Sequence, residues 1–170
     1  MTRKSQKLPH NILNNLINLD TLAYINNGYL LQFRKTIKTV RYHTDLSPYE
    51  VNCFLEYANI LWNEFSALFN MDDNDIIYIV AYDDPWQKID STSCINDISV
   101  HTAIETNDIE LVRKVFYMAL QYQTFPIFVT SNSHLALIPT DHLDLFISQF
   151  NQDSQYIPKS SQIERTAWVI

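Results

Sequence analysis

The chain has 170 residues, 46% of them hydrophobic and 18% charged, with a formal net charge of -7. This length suits one hydrophobic core, so we expect a single domain over residues 1–170 with a flexible start at residues 1–7. Gly28 is the only glycine, which excludes the Walker loop and the dinucleotide-binding fingerprint, because each needs two or more glycines at set spacings.

No apolar run reaches the roughly 18 residues of a membrane span, and residues 1–10 are basic and polar, without a signal-peptide pattern. We therefore expect a cytoplasmic protein that does not enter a membrane. Cys53 and Cys94 are too few for a disulfide framework and are expected to stay reduced.

Charge is distributed unevenly along the chain. Residues 1–41 hold seven Lys and Arg against one acid, whereas residues 42–110 hold fourteen acids against one base. An acidic segment of this kind speeds association with a basic partner and repels nucleic acids and anionic membranes. The alternative is that the two segments lie on neighbouring elements and neutralise each other as solvated faces.

In chain order, residues 8–22 predict a short first helix that ends at Asn26-Asn27-Gly28. Residues 29–43 alternate β-favouring and basic residues, which predicts one long strand or a hairpin with a cationic face. That face carries Arg34, Lys35, Lys38 and Arg41. These cations could contact phosphates, but the acidic bulk of the chain opposes a polyanion, so we do not expect nucleic-acid binding.

A capping box, Ser47-Pro48-Tyr49-Glu50, predicts the start of a long helix over residues 47–69. An apolar stripe follows it at helical spacing, which places the aromatic side chains in the core rather than in a ligand site. The stripe consists of Val51, Phe54, Leu55, Ala58, Leu61, Trp62, Phe65, Leu68 and Phe69. Residues 76–82 then form a continuous apolar run typical of a strand buried on both faces.

Residues 83–93 have the composition of a loop, and residues 94–104 are ambiguous, with a strand as one interpretation. Asn107 or Asp108 can cap a second one-sided helix over the residues that follow, up to Leu120. Residues 125–130 and 134–138 predict a β-hairpin, and Thr140 is placed to cap a helix. The apolar side of that helix would consist of Leu143, Phe146, Ile147 and Phe150.

These elements favour the α+β class. We expect a mostly antiparallel sheet of about four to six strands, with one long helix and two or three shorter ones.

Metal and cofactor sites are not expected. Met71-Asp72-Asp73-Asn74-Asp75 is similar to the start of a calcium loop, but Ile76 stands where the loop needs glycine and Tyr82 where it needs an acid. His134 and His142 lack the spacing of a helical zinc site.

Two local patterns suggest catalysis, and both have a simpler explanation. His142 lies beside Asp141 and Asp144, an arrangement that could serve a small hydrolase, yet no nucleophile motif accompanies it and a polar helix start explains it. Cys94 with His101 could form a thiolate pair, but nothing nearby supplies an oxyanion hole. We expect a protein that is not an enzyme.

Two acidic clusters flank the predicted strand at residues 76–82. We expect both clusters to bind a protein partner. A strand of this length places them about 20 Å apart, so one standard-size interface can cover both. An exposed tryptophan among carboxylates also suits an interface, although a tryptophan folded over the sheet edge would be ordinary packing. The predicted partner-binding residues are Asp72, Asp73, Asp75, Asp83, Asp84, Trp86 and Asp90.

Val40-Arg41-Tyr42, Trp62-Asn63-Glu64-Phe65 and the run from Asp75 to Val80 lie in an order that resembles a family of small bacterial proteins of unknown function associated with polymorphic toxin loci. The resemblance covers residues 40–150 and rests mostly on hydrophobic pattern. Members carry a Tyr-Asp-Asp-Arg-Gly box near the C-terminus, and in the matching stretch, residues 139–143, only Asp141 agrees. The resemblance implies a strand at residues 146–148 and an immunity role based on binding.

Together these features predict a non-enzymatic immunity or antitoxin protein that neutralises a basic toxin domain, such as a nuclease. One alternative is a phage or mobile-element inhibitor or nucleic-acid mimic of acidic character. Another is a small hydrolase that uses Asp141, His142 and Asp144.

Overall fold

The computed structural model describes residues 2–5, 28–35, 47–69, 76–81, 103–121, 123–124, 126–130, 135–149 and 156–167. Within these ranges the chain forms two α-helices and one eight-stranded sheet. The helices are α1 (Pro48–Phe69) and α2 (Ile109–Leu120). The strands are β1 (Thr2–Ser5), β2 (Gly28–Phe33), β3 (Ile77–Ala81), β4 (Ala103–Thr106), β5 (Pro126–Thr130), β6 (Leu135–Thr140), β7 (Asp144–Gln149) and β8 (Ile163–Ala167).

The strands lie in the order β1-β4-β3-β5-β6-β7-β2-β8, and every neighbouring pair is antiparallel. This arrangement fits the predicted α+β class, but the sheet has more strands than the four to six that we expected. The described ranges contain one long and one shorter helix, and the helix predicted at residues 8–22 lies outside them. Thr2–Ser5 pairs with β4 as an edge strand, where the sequence predicts only a flexible start.

The capping box of α1 is confirmed. The Glu50 backbone N–H donates to the Ser47 hydroxyl (3.3 Å), and the Ser47 N–H donates to the Glu50 carboxylate (3.0 Å). These reciprocal bonds satisfy two of the amides that a helix start leaves without partners. They fix the first residue of α1 and therefore the direction of its apolar face.

The apolar face of α1 is narrower than the predicted stripe. Its buried residues are Phe54, Ala58, Leu61, Trp62, Phe65 and Leu68. Val51 and Leu55 remain 38% and 40% exposed. The Phe65 ring lies 4.8 Å from that of Phe116 on α2 and 4.9 Å from that of Phe128 on β5, centroid to centroid. Phe65 thus joins both helices and the sheet in one core, as the stripe predicts.

The sheet is apolar on both faces. Ile77 and Ile79 of β3 belong to the core cluster that includes the helices, whereas Tyr78 between them points to the other face and is also buried. Burial on both faces of this strand was predicted from its continuous apolar run and is confirmed for these residues. On the second face, Tyr78 is accompanied by buried Ile127, Val129, Ala136 and Phe146.

The second helix begins as predicted. The Asp108 carboxylate accepts the N–H groups of Glu110 (3.0 Å) and Leu111 (3.2 Å), so Asp108 rather than Asn107 is its cap. The predicted hairpin is also present as β5 and β6.

The helix predicted after Thr140 is wrong, because residues 141–143 form a turn and Asp144–Gln149 is strand β7. Leu143 has φ of 56°, a left-handed conformation that a helix does not allow. The Thr140 hydroxyl donates to the Asp144 carboxylate and closes the turn. Leu145 and Ile147 then face the helices while Phe146 faces the opposite side, so the side chains follow the two-residue period of a strand. Residues 146–148 are therefore in a strand.

The single glycine makes a close contact inside the sheet. Gly28 begins β2, and a Cβ atom built there would lie 2.5 Å from Cζ of the Phe146 ring on β7. Any side chain at this position would collide with that ring, which explains why glycine occurs within a strand, where it is otherwise unfavourable.

Candidate functional site

The seven predicted partner-binding residues, Asp72, Asp73, Asp75, Asp83, Asp84, Trp86 and Asp90, lie outside the described residues. The same holds for Cys94, His101, His134, Lys38 and Arg41. The roles of these residues stay predictions. The described part of the acidic segment consists mainly of α1, β3, β4 and the start of α2.

The first two turns of α1 present apolar side chains to solvent within this acidic segment. Tyr49 is 77% exposed. Glu56, two turns further along, is exposed on the same side of the helix, and α1 contains no Lys or Arg. Val51 and Leu55 are partly exposed on a different side, because residues two apart in a helix do not face each other. We call Tyr49, Val51, Leu55 and Glu56, which surround the start of α1, the acidic-apolar patch. Its combination of apolar surface and negative charge suits contact with a partner that is both apolar and basic.

Cys53 lies beneath Tyr49 on α1 and is a free, half-buried thiol. A side-chain hydrogen bond with Cys53 raises the pKa of the Tyr49 phenol above its usual value of 10.0. The phenol is therefore neutral at physiological pH, and its ring adds apolar rather than charged surface to the patch.

A second surface cluster joins the two helices. Asn59 Oδ1 accepts hydrogen bonds from the Tyr117 hydroxyl (2.5 Å) and from an Arg113 guanidinium nitrogen (3.3 Å). The Arg113 guanidinium also lies over the rings of Trp62 (5.8 Å) and Tyr117 (5.7 Å), measured to each centroid. These contacts fix the position of α2 relative to α1. The sequence alone did not reveal them, because Asn59 and Arg113 are 54 residues apart in the chain.

Glu64 on α1 is a buried carboxylate, with 1% of its surface exposed, and the sequence did not predict a structural role for it. It accepts hydrogen bonds from the Tyr156 hydroxyl (2.6 Å) and from the backbone N–H groups of Lys159 (3.1 Å) and Ser160 (2.7 Å). Burial, and secondly the bond to Glu64, raises the pKa of Tyr156, which keeps its proton on the donor oxygen. Glu64 therefore anchors the segment before β8 to α1. Its position between Leu61 and Leu68 at helical spacing was the signal available in the sequence.

Tyr29 on β2 lies near this anchor. Its hydroxyl is buried and finds no hydrogen-bond partner in the part of the chain that the structure describes. Burial raises its pKa to about 12, and the Arg165 guanidinium, 4.6 Å from the ring centroid, lowers that pKa. The hydroxyl thus keeps its proton, and a buried hydroxyl without a hydrogen bond to the described residues lowers the free energy of unfolding.

The residues of the alternative hydrolase site, Asp141, His142 and Asp144, lie in and beside the turn between β6 and β7. His142 is exposed, and its Nε2 lies 3.8 Å from the Asp141 carboxylate. Burial raises the pKa of Asp144, and the Thr140 hydroxyl, by donating to that carboxylate, lowers it. The His142 N–H donates to the Thr140 hydroxyl (3.2 Å), which orders the turn. Asp144 is thus engaged in closing the turn through its bond with the Thr140 hydroxyl.

Within the described ranges, no group of three or more His, Cys, Asp and Glu residues is placed to hold a metal ion. Neither α1 nor α2 is long and apolar enough to cross a membrane. The chain matches no protein-family model, no curated protein and no solved structure.

Proposed function

We propose that this protein is a non-enzymatic immunity or antitoxin protein that binds a basic toxin domain, such as a nuclease, through its acidic segment at residues 42–110. The observation that carries the proposal is the acidic-apolar patch on α1, which lies within a segment of fourteen acids and one base. A toxin that acts on an anionic substrate presents a basic surface, and an acidic inhibitor complements it.

The patch supports binding through its composition. Protein interfaces combine an apolar centre with a polar rim, and tyrosine is enriched among the residues that dominate binding energy. Tyr49 is 77% exposed and is next to Glu50 of the capping box, with Glu56 two turns further on. The capping box holds Tyr49 on a rigid helix start, so little entropy is lost when a partner contacts it.

The acidic clusters around the predicted strand extend the same proposal. Asp72, Asp73 and Asp75 follow α1 in the chain, and Asp83, Asp84 and Asp90 surround Trp86 after β3. We infer that these carboxylates steer the basic partner toward the patch, and that Trp86 is an additional anchor.

The test is co-expression in a bacterial host with the domain encoded by the reading frame immediately upstream. We expect that domain alone to stop growth, and that this protein restores growth and purifies with it as a stoichiometric complex. Growth arrest that persists at equal expression, with no complex in gel filtration, would contradict the proposal. An upstream domain with no toxic effect and no binding would contradict it as well.

A matched pair of variants locates the interface. Tyr49→Ala should weaken protection and complex formation, because it removes the main apolar anchor of the patch. Ile157→Ala is the control, since Ile157 is exposed to a similar extent (80%) but lies in the segment before β8. If both variants protect equally well, the patch is not the interface.

A further inference from the structure

A pocket opens where β2 ends, on the side of the sheet that carries the helices. Its volume is about 330 Å³. It is lined by Phe33, Arg34, Lys35, Tyr57, Ser161 and Gln162. These residues come from β2 and the two positions after it, from α1, and from the turn before β8. The pocket is therefore assembled by the antiparallel pairing of β2 with β8.

One wall of the pocket is aromatic. The rings of Phe33 and Tyr57 meet edge to face, with centroids 5.1 Å apart and planes inclined by 74°. Both residues are partly buried and pack against the main core, so the wall is held in place. An exposed edge of two fixed rings offers a surface on which another ring can pack.

The opposite rim is cationic. The Arg34 backbone N–H donates to the Gln162 carbonyl (2.9 Å), and Arg34 Nε donates to the Ser161 carbonyl (3.0 Å). These bonds hold the guanidinium at the pocket mouth while its side chain stays 59% exposed. The next residue, Lys35, is exposed as well. Arg34 and Lys35 thus contribute a planar guanidinium and an ammonium-bearing side chain to the pocket lining.

The charge of the rim selects among anions. One Arg34 terminal nitrogen lies 3.7 Å from the Glu164 carboxylate, which offsets one of the two positive charges. Among the described residues at the rim, Arg34, Lys35 and Glu164 together carry a net charge of about +1, which one negative charge balances. A monoanion matches this rim better than a dianion such as a phosphate monoester, whose second charge would remain near Glu164 uncompensated.

We propose that this pocket binds a small aromatic monocarboxylate, with its ring on Phe33 and Tyr57 and its carboxylate between Arg34 and Lys35. The planar guanidinium forms paired hydrogen bonds with a carboxylate. The pocket volume lies at the lower end of the range for ligand pockets, which suits a ligand with one ring. The pocket shares no residue with the acidic-apolar patch, and the inference does not depend on the proposed immunity function.

The test uses three probes that divide the ligand into its parts: 3-phenylpropionate, its neutral amide 3-phenylpropionamide, and acetate. We expect 3-phenylpropionate to bind saturably by calorimetry and to shift the backbone amide NMR signals of residues 33–35 and 161–162. The amide should bind about tenfold more weakly, because it loses the charge-assisted hydrogen bonds. Acetate should not saturate, because it lacks the ring.

Two variants assign the contacts. Lys35→Gln should weaken 3-phenylpropionate binding about threefold, the effect of one exposed ion pair, and Tyr57→Leu should weaken it by removing the ring contact. Lys114→Gln on the exposed side of α2 is the control and should bind as the parent does.

Three outcomes would overturn the proposal. Absence of saturable binding by all three probes excludes the site, and equal binding of acid and amide excludes the role of the cationic rim. Binding that shifts amide signals elsewhere, or that Lys35→Gln and Lys114→Gln affect equally, places the ligand outside this pocket.

Discussion

The two halves of α1 place the same kinds of residue in different environments. In the first half, Tyr49, Leu55 and Glu56 are exposed and their side chains remain open to a partner. In the second half, Trp62 and Phe65 are buried, and the carboxylate of Glu64 is fully occupied by three donors from residues 156–160. An aromatic or acidic residue on this helix therefore indicates binding only where its side chain is exposed, and negative charge alone does not identify an interface.

The largest expected change in stability comes from a substitution in the buried second half of α1. Phe65→Ala should lower the free energy of unfolding by about 3–5 kcal/mol, because Phe65 is fully buried and its ring contacts both helices and β5. Urea denaturation with tryptophan fluorescence measures this change. A variant as stable as the parent would mean that α1 does not pack on the sheet in this way.

The second prediction compares a buried and an exposed acidic residue of α1. Glu64→Gln should cost about 1–3 kcal/mol, because the amide retains one acceptor oxygen but places an NH2 group among three donors. Glu56→Gln is the control and should change stability by less than about 0.5 kcal/mol, since Glu56 is exposed. Equal effects of the two substitutions would remove the distinction between the halves of the helix.

The third prediction is a gain in stability from a substitution at Tyr29, which lies near Glu64 and Tyr156. Tyr29→Phe removes a buried hydroxyl that has no partner among the described residues and keeps the ring under Arg165. We expect stability to rise by about 1 kcal/mol, the lower end of the cost of an unsatisfied buried group. Tyr156→Phe is the matched opposite case, because its hydroxyl donates to Glu64, and should destabilise. Destabilisation by Tyr29→Phe would show that its hydroxyl has a partner.

A smaller effect concerns pH. Burial raises the pKa of Asp144 above its usual value of 3.8, so the folded protein binds the proton more tightly than the unfolded chain does. The contribution of Asp144 to stability is therefore greatest below the unfolded pKa and falls as pH rises through the folded pKa. Asp144→Asn lacks this dependence. Urea denaturation of both proteins across acidic pH should show the parent losing stability relative to the variant as pH rises, and a parallel course would contradict this account.

The elements defined by local interactions were predicted correctly. The capping box at Ser47 and the Asp108 cap mark the helix starts, because a side chain within three residues satisfies the free amides. The helical spacing of Phe54, Leu61 and Phe65 identifies the buried face of α1, since these residues share one side of a helix.

The errors arise where one pattern fits two structures or where partners are distant in the chain. Two adjacent apolar residues such as Phe146 and Ile147 fit one face of a helix, and they also fit the two faces of a strand that is buried on both sides. The left-handed conformation of Leu143 cannot be predicted from the residue type, because leucine rarely adopts it. The strand β8 carries only one buried residue, Ile163, and so lacks an apolar pattern. The pocket could not be predicted, because Phe33 and Gln162 meet only through the pairing of β2 with β8.

The central claim is that the exposed half of α1, within the acidic segment, binds a basic partner. The most direct measurement is the association and dissociation rate of the upstream-encoded domain with the parent and with Leu55→Ala, at low and high salt. Leu55→Ala should lower the free energy of unfolding by only about 1 kcal/mol, which leaves the variant folded, because Leu55 is 40% exposed and lies outside the core. We expect faster dissociation of the variant, and for both proteins a slower association at high salt. Unchanged dissociation together with salt-independent association would contradict the claim.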